Sequence, residues 1–149
     1  MSTDIPSDAV VLAWTRLVRA QARVLDAVEA DIKAAGFPPL AWYDVLLELR
    51  RAEGGRLRPL IIESRLLLTQ SNVSRLIDRL ERAALVQRLP HPVDGRGQDV
   101  AITEAGRDLL KAMWPTYRAA IQRHVGLRLR DDAEAAKLAD LLGLLLAER

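Results

Sequence analysis

The chain has 149 residues, half of them hydrophobic, with 22 Lys/Arg against 20 Asp/Glu and a net charge of +2. That composition supports one domain, or one compact core with an extension, and excludes a disordered chain. There is no Cys, which excludes disulfides, thiolate nucleophiles, thiol redox sensing and thiolate metal sites.

The two histidines, His91 and His124, do not fall in a metal-ligand spacing, and no cofactor is expected. The start, MSTDIPSDAV, is acidic and lacks the charged-then-apolar pattern of a signal peptide. No apolar run approaches the roughly 18–20 residues that span a bilayer. A soluble, cytoplasmic protein is expected. Charge is unevenly placed. From Arg50 to Gln98 there are ten Lys/Arg and five Asp/Glu, while the rest of the chain is net acidic. A basic middle between acidic flanks suits a phosphate-binding module in a neutral scaffold.

From about Ser7 to Ala35, Trp14, Leu17, Val18, Leu25, Val28 and Ile32 recur with the period of one helix face. Ser7 or Asp8 is the expected cap, and Gly36 with Pro38-Pro39 the stop. AWYDVLLELRRA reads as a second helix with Trp42, Val45, Leu46 and Leu49 on one side, ended by Gly54-Gly55. RPLIIESRL reads as a short third helix with Pro59 in its first turn, where a missing N–H costs little. LLLT is a short connector, and Thr69 is the expected cap of a helix beginning at Gln70.

In that fourth helix Val73, Leu76, Ile77 and Leu80 form an apolar stripe. Gln70, Ser71, Asn72, Ser74, Arg75, Arg79 and Arg82 fall on the other side. Two short helices, the second with a basic exposed face, form the helix-turn-helix pattern. LVQRLP and DVAIT then flank HPVDGRGQ as a hairpin with a long loop, a wing tipped by Arg96. A fifth helix starts after Thr103 as cap and carries Leu109, Leu110, Met113, Tyr117 and Ile121, with Pro115 expected to kink or break it. A last helix, about Asp131 to Ala147, carries Leu138, Leu141, Leu142 and Leu145. So many leucines near a terminus point to burial against a partner.

The stretches LAWYDVLLEL, SNVSRLIDRLERAALVQR and PVDGRGQDVAITEAGR resemble, in order and spacing, the multiple-antibiotic-resistance regulator (MarR) family of bacterial transcription factors. The family pattern is roughly V-x-R-L-V-D-R-L-E, G-L-V-x-R, D-x-R-G, then L-T-x-x-G. Ala84 stands where the family usually has Gly, Ile102 replaces the usual Leu, and PLIIESR departs from the family's third helix.

The resemblance implies a mainly α fold with a small β-wing: an N-terminal dimerisation helix (1–36), a winged helix-turn-helix (37–103) and C-terminal dimerisation helices (104–149). It implies a homodimer on a palindromic double-stranded operator, usually a repressor relieved by a small aromatic or phenolic ligand. From the residues themselves, neither catalysis nor a membrane span is expected. In the major groove Gln70 and Asn72 are suited to adenine and Arg75 to guanine. Ser71 and Ser74 allow close approach to a phosphate or base edge. Arg79 and Arg82 suit phosphates, although Arg82 reads equally well as a solvated residue paired with Asp78 or Glu81. Arg96 is assigned to the minor groove, and Asp94 to bracing the wing or forming its turn.

For a ligand pocket the candidates are Trp14, Trp42 and Tyr43 as aromatic faces, Arg16 and Arg88 for a carboxylate, and Pro59 and Ser74 as lining. The two tryptophans also read as core or interface packing. The competing reading is a winged-helix protein–protein scaffold without DNA binding, which has no need of a basic stripe plus a basic wing.

Overall fold

A computed structural model describes residues 3–93 and 95–147. Six α-helices and a small sheet follow in the order α1 (Asp8–Ala34), α2 (Leu40–Arg51), β1 (Arg56–Leu57), α3 (Pro59–Arg65), α4 (Val73–Arg82), β2 (Val86–Pro90), β3 (Gln98–Ile102), α5 (Glu104–His124) and α6 (Asp132–Leu146). The mainly α fold with a β-wing is therefore present.

Two compact units divide the chain: residues 32–116, and the remainder up to Asp31 together with Tyr117 onward. In the first unit an antiparallel three-stranded sheet has the order β1-β3-β2. The β2–β3 hairpin pairs Val86 with Ile102 and Arg88 with Val100. The sequence did not reveal β1, which is only two residues long and pairs Arg56 with Ala101. The core lies here. It takes Leu40, Tyr43, Val45, Leu46 and Leu49 from α2, Ile62 from α3 and the whole α4 stripe Val73, Leu76, Ile77 and Leu80. Val86, Val100, Leu110 and Met113 complete it.

Several expected caps are in place. Ser7 Oγ accepts from the Val10 amide at 3.3 Å, and Thr103 Oγ1 accepts from Gly106 at 3.1 Å. Gly36 takes the left-handed conformation (φ 84°) that closes α1. Gly106 has a packing reason: a Cβ there would collide with the Leu85 carbonyl oxygen. The start of α5 lies directly on the chain leaving α4, and only Gly permits that approach.

Two expectations are corrected. Thr69 is not the cap and α4 does not begin at Gln70. Asn72 is the cap, its Oδ1 accepting from the Arg75 amide at 3.0 Å, and the helix begins at Val73. Nor does Pro115 break α5, which runs unbroken from Glu104 to His124. The missing proline N–H strands the carbonyl of Lys111, and both residues are solvent-exposed, so water can serve that carbonyl.

The second unit has little core of its own. Val28 and Ala120 are its buried apolar residues among those described, while Trp14, Val10, Val18, Leu141, Leu144 and Leu145 are exposed. No residue of α6 is buried. No helix among the described residues is long and apolar enough to cross a membrane.

α4 ends in a Schellman motif. The Leu85 amide donates to the Leu80 carbonyl at 3.0 Å and the Ala84 amide to the Glu81 carbonyl at 2.9 Å. The residue that must be left-handed is Ala84, at φ 60°. A Cβ is disfavoured there, so Ala84→Gly is expected to raise unfolding stability by about 0.5–1 kcal/mol, measured by urea denaturation; no gain would remove the strain assigned to this turn.

Candidate nucleic-acid interface

The helix-turn-helix is set by Asp44. This carboxylate, buried on α2, accepts the backbone amides of both Leu67 (Oδ1, 3.1 Å) and Leu68 (Oδ2, 2.8 Å). Residues 66–72 thereby stay out of helix and carry the chain from α3 into α4. Two amides that a longer α3 would have used internally are satisfied from across the fold instead.

The base-reading candidates consequently divide. Gln70 and Ser71 lie in the turn before α4, and Asn72 at its cap. Ser74, Arg75 and Arg79 lie on the helix itself, exposed. Asn72 Oδ1 holds the Arg75 amide, so an adenine contact through that oxygen would have to share it.

The carboxylates of α4 are turned elsewhere. Arg88 on β2 binds Asp78 through Nη2, lies 3.7 Å from Glu81, and donates its own backbone amide to Glu81 Oε2 at 3.3 Å. Asp78 and Glu81 therefore bind the helix to the wing strand. Among the described residues none of Arg75, Arg79 or Arg82 makes an ion pair, so Arg82 is not paired with Asp78 or Glu81 as the sequence allowed. Arg88 is likewise withdrawn from the role of carboxylate holder, because two internal carboxylates already take its guanidinium.

The wing is braced by residues the sequence did not single out. Arg56 on β1 donates through Nε to Asp99 at 2.8 Å and through Nη2 to the Pro90 carbonyl at 2.8 Å, tying both strands of the hairpin. Asp99 is only 5% exposed. Arg58 places its guanidinium against Gly97, where a Cβ would lie 3.6 Å from Arg58 Cζ. At the tip the His91 amide donates to the Gly97 carbonyl at 2.9 Å, and Gly95 is left-handed at φ 63°. Arg96 follows, exposed. Asp94, expected to brace the wing, lies outside the described residues. The detectable signal for Asp99 was an acid in an apolar strand; its partner Arg56 lies 43 positions away, beyond any local pattern.

The ligand candidates do not come together in one described cavity. Tyr43 is buried and stacks on Trp114, ring centroids 6.5 Å apart, and burial raises its hydroxyl pKa against the opposing pull of Arg50 and Arg51. Trp42 is half-buried. Pro59 opens α3, and Ser74 lies on the exposed face of α4. Trp14 and Arg16 belong to the other unit, where Trp14 is 66% exposed. Among the described residues no cluster of His, Asp or Glu is arranged to hold a metal.

The MarR family model matches residues 35–97, the span from α2 through the wing. Over that span the chain is similar to the MarR family. This is a family of transcriptional regulators rather than enzymes. An uncharacterized HTH-type transcriptional regulator of Bacillus subtilis, YkoM, is 34% identical over 62% of the chain and 58% of its own length, so the chain spans less than two thirds of that relative. Among solved structures, Sco3205 of Streptomyces coelicolor, a MarR family regulator crystallised with DNA, superposes with a TM-score of 0.81 at 23% identity, over 95% of this chain and 89% of that one. BpsR of Bordetella bronchiseptica, whose DNA binding is regulated by 6-hydroxynicotinic acid, gives 0.74 at 22% identity over 99% of both chains. At those identities the two structures establish the shared fold.

If Asp44 sets the turn, Asp44→Ala is expected to cost about 2–3 kcal/mol, the scale of hydrogen bonds to a charged group. Denaturant unfolding with hydrogen exchange at the Leu67 and Leu68 amides tests this; unchanged protection at both would show the turn to be held by other means.

Proposed function

We propose that the chain is a DNA-binding transcriptional regulator that acts as a homodimer on a palindromic operator, as a repressor released by a small aromatic or phenolic ligand. One observation carries the DNA reading: Arg75, Arg79 and Arg82 line α4 while its own acids, Asp78 and Glu81, are drawn to Arg88. A helix face stripped of its counter-charges, beside an arginine-tipped wing, is an electrostatic footprint for phosphates. Sco3205, which shares the fold, binds DNA.

In this reading α4 enters the major groove with its N-terminal end nearest the bases. Arg75 takes a guanine edge, and Gln70 and Asn72 face adenines. Ser71 and Ser74 permit the approach, while Arg79 and Arg82 hold phosphates and Arg96 enters the minor groove. Asp94 is assigned to holding the wing loop. The apolar surface of α1 and α6 is covered by the second copy, since a patch of this extent marks an interaction surface. Two-fold symmetry then places half-sites about 10 base pairs apart, centre to centre. Relief by a ligand rests on the BpsR precedent, with Trp14, Arg16, Trp42, Tyr43, Pro59 and Ser74 as candidates.

Gel-shift titration on an operator selected from random duplex DNA is the test. Arg96→Ala and Arg75→Ala are each expected to weaken binding by about 1–3 kcal/mol, and only Arg75→Ala to relax sequence preference in the major groove. Unchanged affinity for Arg96→Ala would remove the wing from the interface.

A further inference from the structure

The unit built from the chain ends holds a cavity of about 640 Å³ that the DNA reading does not use. Its cationic wall comes from two places. Arg16, Arg19 and Arg23 project from α1, and Arg128 from the short turn after α5. Ala20, Val24 and Ala27 supply a small apolar floor. His124 also lines the cavity, but its Nε2 lies 2.9 Å from Asp31 Oδ2, an oxygen that Arg123 holds as well at 2.8 Å. Asp31 Oδ2 is thus shared by the Arg123 guanidinium and the His124 ring. No carboxylate lines the cavity, and among the described residues none of the four arginines makes an ion pair.

Like charges gathered around one concavity repel each other, and an anion bound among them relieves that repulsion. Guanidinium forks match carboxylate and phosphate oxygens two at a time. The volume is that of a small-molecule site. The exposed residues Val10, Trp14, Leu17 and Val18 occupy one face of α1. At 3.6 residues per turn, Arg16, Arg19, Arg23 and Ala27 centre on a face roughly 160° from them, a face that also carries the exposed Leu12, while the floor residues Ala20 and Val24 lie between the two.

We infer that this cavity binds a small organic polyanion, with two or more carboxylate or phosphate groups on the arginines and its carbon skeleton on the alanine floor. Of the ligand candidates read from the sequence it takes in only Arg16. The inference stands apart from operator binding, because its test contains no DNA.

Isothermal titration of the full-length protein with citrate, and separately with benzoate, at constant ionic strength tests it. Saturable citrate binding at one per chain is expected, at least tenfold tighter than benzoate. The Arg19→Ala/Arg23→Ala variant, and the milder Arg23→Gln, are expected to lose at least tenfold in citrate affinity with unchanged sedimentation. No saturable citrate heat, or equal affinity in the variants, would overturn the proposal. So would an absence of citrate binding together with a smaller sedimenting species for the double variant, since carboxylates of a second copy would then fill the cavity.

Discussion

The helix-turn-helix depends on one buried carboxylate receiving two backbone amides. Without Asp44, Leu67 and Leu68 have no acceptor in the chain between α3 and α4. With it, the connector is fixed to α2, whose Val45, Leu46 and Leu49 are themselves fully buried. The recognition helix thus inherits its position from the core. Asn72 then closes the first turn of α4 and the left-handed Ala84 closes its last. Both ends of a ten-residue helix are defined by satisfied backbone groups, which lets its outer face be spent on charge.

Charge on that face is sorted by a second device. Arg88 draws Asp78 and Glu81 toward the wing strand, and Arg56 anchors the wing through Asp99 and the Pro90 carbonyl. Acids and bases of similar number are thereby segregated: the acids hold the scaffold together and Arg75, Arg79, Arg82 and Arg96 remain outward. A net charge of +2 for the chain conceals this, because it is the arrangement and not the total that makes a phosphate-binding surface.

Much of this was legible in the sequence. The α4 stripe, the Thr103 cap, the hairpin and the Pro59 start all follow from local periodicity and cap chemistry, and each appears in the structure. The left-handed demand on Ala84 was legible only through the family's usual Gly. What escaped was whatever depends on partners distant in sequence. Thr69 and Asn72 are both good caps locally; the choice falls to Asn72 because Asp44, more than twenty residues earlier, holds the connector extended. The Arg88–Asp78 and Arg56–Asp99 pairs join separate elements, and a two-residue strand such as β1 leaves no period to read. The cationic cavity escaped because Arg128 meets the α1 arginines only through the fold.

The central claim, that segregated arginines make a phosphate-binding face, is tested most directly by the salt dependence of duplex DNA binding. Fluorescence anisotropy between 50 and 200 mM salt is expected to give log K falling linearly with log salt. A dimer engaging the two phosphates per chain assigned to Arg79 and Arg82 gives a slope of about −4. A slope near zero, or no binding at the lowest salt, would contradict the account.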